Sequence, residues 1–264
     1  AKKNPHSMGA WVQESKTHVA AMNDNDFCSN EKSATILQKS VGTAKIEFVS
    51  ADGTIKILKD DLSLKKGDVV DATMMSKKAL RAVLKAQIKD AKAEGVLFSI
   101  HLKATMMKIS DPIIFGHTVK VFFEKVFNKH ANIISELGID ENNGIGELLA
   151  KLQTLPREQK EEITADIQAC MDEQPDLYMV NADRGVTNLH VPSDVIIDAS
   201  MPALIRDGGK GWGPDGKQAD TKCVIPDGSY ATIYDETITF CKEHGAFDPS
   251  EMGTVSNVGL MAQK

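Results

Sequence analysis

The sequence contains few aromatic residues, few cysteines and no long apolar run. Aromatic residues make up 5% of the 264 residues, and the four cysteines form no Cys-x-x-Cys pair. Such cysteines suit a reducing compartment better than a disulfide framework or a zinc site. No apolar run reaches the roughly 18 residues of a membrane-spanning helix, and the first residues lack the apolar segment of a signal peptide. We therefore expect a cytoplasmic protein without membrane insertion.

The charge composition argues against a nucleic-acid partner. The chain carries 31 basic and 37 acidic residues, which gives a net charge of -6, and it has no long basic run. Nucleic-acid-binding proteins normally present a basic patch. With 42% hydrophobic and 26% charged residues, the composition is that of a globular protein with one large domain or two small ones.

Periodicity predicts an α/β fold, with a mixed sheet and flanking helices, as one unit over 1–264. Alternating residues on both sides of Asp52-Gly53 predict an N-terminal β-hairpin. Helical spacing predicts helices over 77–94, 113–137, 148–152, 157–173 and 232–244, and short apolar runs predict strands at 96–100, 177–181 and 195–197. The stretch 206–227 is rich in glycine and is predicted to be an irregular loop.

Lys103 is the first candidate functional residue. It follows the predicted strand at 96–100, and Ser110-Asp111-Pro112 then begins a helix. In open α/β sheets ligands bind at the carboxyl ends of strands, where a lysine can pair with a carboxylate or exchange a proton. The alternative is a lysine whose stem packs on the protein while its ammonium reaches solvent.

Asp198 is the second candidate. It ends the predicted strand at 195–197, so its carboxylate is expected at a strand's carboxyl end, where it suits a hard cation. One carboxylate is an incomplete magnesium or manganese site, because such ions need further carboxylates, waters or substrate oxygens. The alternative is that Asp198 caps a helix over 199–205.

Two other features are interpreted as structural. The glycines between 208 and 216 form neither Gly-x-Gly-x-x-Gly at a helix start nor Gly-Lys-Ser/Thr, so a phosphate cradle is not predicted. His101, His117, His130 and His190 lack metal-ligand spacing and lie in no recognised nucleophile motif. We expect these histidines to pack or to form hydrogen bonds.

Seven segments carry a resemblance to a known family: PHSMGAW at 5–11, HLKATMMK at 101–108, NNGIG at 142–146, TNLHVPSD at 187–194, DASMPA at 198–203, WGPDGK at 212–217 and HGAFDP at 244–249. Together they closely resemble the monomeric type of NADP-dependent isocitrate dehydrogenase. The resemblance extends in order over essentially the whole chain.

This resemblance implies a fragment of a longer enzyme. Members of the family are single chains roughly three times as long, and this chain resembles a central part of their inserted domain, in an isocitrate/isopropylmalate dehydrogenase-like fold. They oxidise isocitrate with NADP and release CO2 to give 2-oxoglutarate, using a magnesium or manganese ion chelated by the substrate. By motif, Lys103 matches the catalytic lysine that contacts the substrate, and Asp198 matches a metal-binding aspartate. The family's NADP ligands, its catalytic tyrosine and its other metal aspartates match nothing in this chain.

We therefore expect a fragment that is inactive alone and whose partners are isocitrate and the remainder of a monomeric parent chain. Two alternatives remain open. One is a standalone binding or interaction module that keeps the fold without catalysis. The other is a metal-dependent enzyme of different specificity that completes its site with groups from a partner chain. A truncated α/β unit is also expected to expose an apolar face through which it associates with another copy.

Overall fold

The computed structural model describes residues 8–103 and 110–248. Residues 5–7, 104–108 and 249, which belong to three of the resembling motifs, lie outside this part. The strands are β1 (His18–Ala20), β2 (Lys32–Thr35), β3 (Gly42–Val49), β4 (Ile55–Leu64), β5 (Val69–Ala72), β6 (Leu97–Ile100), β7 (Met179–Asn181), β8 (Val186–Thr187), β9 (Lys210–Trp212) and β10 (Gln218–Val224). The helices are α1 (Lys77–Glu94), α2 (Asp111–Phe122), α3 (Glu124–Lys129), α4 (Ala131–Glu136), α5 (Ile145–Lys151), α6 (Arg157–Glu173), α7 (Ile197–Arg206) and α8 (Gly228–His244).

Strand β10 is the centre of a four-stranded mixed sheet. Its second half pairs in parallel with β1 on one side and β6 on the other, so that Ala20, Val224 and Ile100 lie side by side. Its first half pairs antiparallel with β9. Three parallel strands therefore end at one edge of the sheet, and the segments that follow them meet there. The mixed α/β class predicted from the sequence is confirmed.

The helices and hairpin with the strongest local signals form where they are predicted. Ser76 caps α1 by accepting a hydrogen bond from the Ala79 N–H, and Gly95 ends the helix in the left-handed conformation. Leu80, Leu84 and Ile88 make its buried face. Helix α6 has the predicted bounds, and β3 and β4 form the predicted antiparallel hairpin.

The prediction of an irregular loop over 206–227 is wrong. Strands β9 and β10 occupy much of this stretch, joined by a turn in which the Gly213 N–H donates to the Lys217 carbonyl over 2.8 Å. Gly209 serves packing, because a Cβ at this position would lie 2.5 Å from the ring of Trp11. The residues from Thr221 to Ile225 are fully buried between other elements. These five residues form too short a run to be recognised as a strand without their partners β1 and β6.

The predicted strand at 195–197 is also absent. Pro192–Val195 form a 3₁₀ turn, Ile196 makes only an isolated bridge to Leu102, and α7 begins at Ile197. Asp198 consequently lies in the first turn of α7 and not at a strand end. The N-cap position is Ile196, so the alternative of Asp198 as a cap is wrong as well.

Two further boundaries differ from the predictions. The long helix over 113–137 is divided into α2, α3 and α4, because Phe123 and His130 leave helical geometry with ψ angles of 31° and 24°. The strand predicted at 177–181 is shorter: β7 covers its last three residues, and Leu177 makes an isolated bridge to Phe98. Aromatic residues on α2 still belong to the core as predicted, among them Phe115 and Phe122.

The buried apolar residues form two clusters. The larger includes Phe98 of β6 and lies among α1, α2, α5 and α6. The smaller joins Met201 and Leu204 of α7 with Ile225, which directly follows β10, and with Ile238 of α8. Trp11 completes the smaller cluster and donates its indole N–H to the Ile205 carbonyl over 2.9 Å. This packing places α7 beside α8 at the carboxyl edge of the parallel strands.

The ribbon formed by β3 and β4 is less well covered than the sheet. Ile46, Phe48, Ile55, Ile57 and Leu58 are each about half exposed on it. Within the residues that the structure describes, no helix is long and apolar enough to cross a membrane.

Candidate functional site

Lys103 lies three residues beyond the end of β6, at the edge where β1, β6 and β10 all finish. This agrees with the predicted position past a strand end. Its backbone N–H donates to Tyr230 Oη over 3.3 Å, and its Nζ lies 2.6 Å from Asp198 Oδ1. The Lys103 side chain is 25% exposed, so its ammonium can be reached from solvent although it is paired with Asp198.

Asp198 meets Lys103 although the two are 95 positions apart in the sequence. The carboxylate sits in the first turn of α7, where the helix dipole favours a negative charge. Its side chain is 39% exposed. A charge-assisted contact of 2.6 Å is strong for an ion pair, and a carboxylate with this exposure presents a hard oxygen to solvent or to a cation.

Backbone hydrogen bonds hold the segments that carry this pair. The Leu102 N–H donates to the Val195 carbonyl over 2.9 Å, and the Ile197 N–H donates to the Leu102 carbonyl over 2.6 Å. Leu102 precedes Lys103, and Ile197 precedes Asp198. The two functional candidates are therefore fixed by neighbours that bond directly to each other.

Two tyrosines of α8 lie beside the pair and were not identified from the sequence. Burial, together with the charges of Asp111 and Asp227, raises the pKa of Tyr230, so its phenol stays protonated. Burial and the charge of Asp198 raise the pKa of Tyr234. The one indication of them in the sequence is the run from Thr221 to Ile225. If this run is recognised as a strand, the helix that follows it, and with it the two tyrosines, is expected at the same edge of the sheet.

His101 is buried next to the pair and makes polar contacts through both ring nitrogens. Nε2 lies 2.8 Å from Ser99 Oγ, and Nδ1 lies 2.7 Å from Ser200 Oγ. Burial lowers the pKa of His101 to about 3, so the ring is neutral at physiological pH. The prediction that this histidine forms hydrogen bonds is confirmed.

Asp198 would supply one ligand of a metal site and needs others. It belongs to no group of three close His, Cys, Asp or Glu ligands within the described residues. The one such group in that part of the chain is His130, Glu162 and Asp166. Its carboxylates bond the ammonium of Lys129 at 3.0 and 2.8 Å, as Asp198 bonds that of Lys103. The chemistry of Asp198 thus fits magnesium or manganese in kind, and its ligand set is incomplete.

The fold defines an α/β chain in which Lys103 follows a parallel strand and meets Asp198 of a helix start, at the sheet edge where ligand sites of this class usually lie. The sequence matches the family described as monomeric isocitrate dehydrogenase over residues 1–264. The chain belongs to this family.

Curated relatives cover the whole chain with high identity. It is 56% identical to isocitrate dehydrogenase [NADP] of Azotobacter vinelandii, 55% identical to isocitrate dehydrogenase [NADP] 2 of Colwellia maris and 49% identical to the protein of that name from Mycobacterium tuberculosis, each over 264 residues. All of this chain is aligned in each case, and it spans 35% of the length of each of these relatives.

Proposed function

We propose that this chain is part of an NADP-dependent isocitrate dehydrogenase and supplies two groups of its active site. The observation that carries the proposal is the contact of 2.6 Å between Lys103 Nζ and Asp198 Oδ1 at the carboxyl edge of the parallel strands, in a chain of this family. The proposed reaction converts isocitrate and NADP into 2-oxoglutarate, CO2 and NADPH. The fold proposed for the whole unit is isocitrate/isopropylmalate dehydrogenase-like, and its proposed location is the cytoplasm.

Lys103 is the proposed catalytic and substrate-binding residue. Its ammonium can donate a hydrogen bond to an oxygen of isocitrate. As a neutral amine, the same nitrogen can take the hydroxyl proton while hydride leaves for NADP, and the ammonium formed in this way can return that proton after CO2 is lost. Tyr230 supports this role, because the bond from the Lys103 N–H to its Oη holds the lysine backbone at the strand end.

Asp198 is the proposed metal ligand. A magnesium or manganese ion, when bound, would polarise the reacting oxygens of the substrate. The partly exposed carboxylate can give this ion one oxygen, and the helix start that carries it is held by backbone bonds to Leu102. The remaining metal ligands and the groups that bind NADP would come from the remainder of the parent chain, which is proposed to be a monomer.

The incomplete set of metal ligands supports the proposal that the 264-residue chain is inactive alone. Within the described residues, Asp198 has no second and third carboxylate or histidine grouped with it. Catalysis of this kind depends on several charges that converge in a fixed geometry, so one lysine and one ligand give negligible rate.

The test compares the 264-residue chain with the full-length enzyme, meaning the longer chain that carries these residues. Reduction of NADP at 340 nm is followed with isocitrate and Mn²⁺ present. We expect turnover by the full-length enzyme and none by the 264-residue chain. A full-length protein that does not oxidise isocitrate contradicts the proposal, and turnover by the shorter chain contradicts the claim that it needs the remainder.

One observation favours the second candidate, a non-catalytic interaction module. Val49, Ile55 and Ile57 are more than half exposed on one face of the ribbon of β3 and β4, and a two-stranded ribbon with such a surface is marginally stable in water. On this alternative the ribbon binds a second copy of the chain. Sedimentation of the 264-residue chain tests it: a dimer that Ile57→Lys dissociates supports self-association, whereas a monomer at all concentrations contradicts it.

A further inference from the structure

A buried polar chain joins the end of β6 to the first turn of α7. It runs from Asn188 through Ser99 and His101 to Ser200, and the first three of these residues are at most 2% exposed. The contacts measure 2.8 Å from Asn188 Nδ2 to Ser99 Oγ, 2.8 Å from Ser99 Oγ to His101 Nε2 and 2.7 Å from His101 Nδ1 to Ser200 Oγ. The proposed function uses none of these four side chains.

The direction of the hydrogen bonds in this chain is set at its Asn188 end. Asn188 Nδ2 also lies 3.0 Å from the Ile100 carbonyl, which can only accept, so the NH2 group must face this side. Its second hydrogen goes to Ser99 Oγ, and the Ser99 hydroxyl is then free to donate to His101 Nε2. We assign the hydrogen of the His101 ring to Nδ1, which donates it to Ser200 Oγ, because Nε2 then accepts the hydrogen of the Ser99 hydroxyl.

Ser200 lies in a helix start that has no side-chain cap of its own. The N-cap residue of α7 is Ile196, whose side chain accepts no hydrogen bond. Asp198 and Ser200 share this first turn, so a bond that fixes Ser200 also limits how far the Asp198 carboxylate can move. The backbone bond from Ile197 to Leu102 fixes the turn at one point, and the bond from His101 to Ser200 fixes it at a second.

We propose that His101 is a positioning residue, which through Ser200 holds the first turn of α7 so that the Asp198 carboxylate stays in place beside Lys103 and could give an oxygen to a divalent cation. This inference rests on the proposed function. It predicts that the Nδ1 side of the ring matters for metal affinity and that the Nε2 side matters less, because only Nδ1 contacts the helix.

Two amide substitutions separate these sides in the full-length enzyme. In His101→Asn the amide occupies the place of Nδ1 and can still donate to Ser200. In His101→Gln it occupies the place of Nε2, and Ser200 loses its donor. The measurement is the affinity for Mn²⁺, from the loss of the free-ion EPR signal without NADP. We expect a Kd about 10-fold to 100-fold higher for His101→Gln, as for lost outer partners of metal ligands, and within about threefold of the unsubstituted enzyme for His101→Asn.

Ser200→Ala and Ser200→Thr repeat the test from the other side. Ser200→Ala should raise the Kd for Mn²⁺ as His101→Gln does. Ser200→Thr should keep the Kd of the unsubstituted enzyme, because the threonine hydroxyl can accept the same hydrogen bond from His101. This pair decides the question if His101→Gln does not fold. Leu84→Ala, in the larger core cluster, is the stability control and should lower Tm without changing the Kd.

Equal effects of His101→Asn and His101→Gln, unchanged Mn²⁺ affinity in Ser200→Ala, or the same loss in Leu84→Ala would each overturn the positioning role. Those results leave isocitrate oxidation by the unsubstituted enzyme intact. If the unsubstituted enzyme neither binds Mn²⁺ nor oxidises isocitrate, this result contradicts the proposed function and with it the positioning role.

Discussion

Lys103 Nζ and Asp198 Oδ1 lie 2.6 Å apart, at the point where the chain leaves β6 and where α7 begins. A second lysine and carboxylate form an ion pair of the same length: Lys120 Nζ lies 2.6 Å from Glu141 Oε1. This pair lies away from the sheet edge. The second pair serves as a matched control for the first, because its geometry is alike and no role in catalysis is proposed for it.

Lys103→Met in the full-length enzyme should lower kcat for isocitrate oxidation by about 10²- to 10⁴-fold, the range for loss of a group that transfers a proton. Steady-state kinetics at 340 nm measure it. Lys120→Met removes a lysine paired over the same 2.6 Å and should leave kcat within about threefold. Comparable losses in both variants would show a general effect of removing a paired lysine and would contradict the catalytic role of Lys103.

Asp198→Asn should weaken Mn²⁺ binding by more than about tenfold, because loss of a direct ligand costs at least as much as loss of an outer partner. The apparent affinity is measured from the Mn²⁺ dependence of the rate and from the free-ion EPR signal. Glu141→Gln, the matched carboxylate, should leave both unchanged. If Asp198→Asn binds Mn²⁺ normally, Asp198 is not a ligand.

The elements predicted correctly are those whose caps and buried residues lie close together in the sequence. Helix α1 is the clearest case, since Ser76, the spacing of Leu80 to Ile88 and Gly95 all act within 20 positions of one another. Strand β10 was missed because its partners are distant: β1 begins about 200 residues earlier, and only their pairing makes the short run at 221–225 a strand. Nonlocal pairing has no local signature.

The same division applies to the site. The position of Lys103 at a strand end followed from the apolar run before it, whereas its contact with Asp198 depends on packing between segments 95 positions apart. The resemblance to the family named Asp198 as a metal ligand, and that role stays a prediction. The structure places Asp198 beside the lysine, at a helix start and not on the predicted strand. Tyr230 lies in none of the quoted motifs, and Ser200 lies in DASMPA without any role being predicted for it.

Stability in acid should depend on Asp220. Its carboxylate contacts Lys210 Nζ at 2.6 Å and accepts a hydrogen bond from the Ser15 hydroxyl at 2.8 Å. Burial alone would raise the pKa of Asp220, but these contacts outweigh it and hold the pKa below the ordinary 3.8. The folded state thus binds this proton less readily than the unfolded state. The stabilisation is fully present above pH 3.8 and is lost as the pH falls through the lowered pKa.

Asp220→Asn should therefore lower the free energy of unfolding by about 1–3 kcal/mol at neutral pH, and its deficit should shrink below pH 3.8. Denaturant unfolding across pH 2 to 7 measures this. Asp235→Asn, at an exposed position of α8, should stay within about 0.5 kcal/mol throughout. A deficit for Asp220→Asn that is constant over the whole range would contradict the pKa argument.

Gly209 and Gly216 allow packing to be separated from backbone strain. Both are left-handed, with φ of +77° and +73°, so alanine is strained at either position. At Gly209 the added Cβ would lie 2.5 Å from the Trp11 ring, whereas at Gly216 it meets no atom within 4 Å. Gly209→Ala should therefore destabilise the protein by about 1–3 kcal/mol more than Gly216→Ala, the usual cost of overpacking.

The fluorescence of Trp11 gives this comparison an independent readout. In a Trp212→Phe background Trp11 is the single tryptophan of the 264-residue sequence, and its buried ring bonds the Ile205 carbonyl of α7. Gly209→Ala should shift the emission to longer wavelength, because the ring must move toward solvent to admit the methyl group. Gly216→Ala should leave the emission unchanged. Equal destabilisation with no shift in either variant would mean that strain alone, and not contact with Trp11, requires glycine at 209.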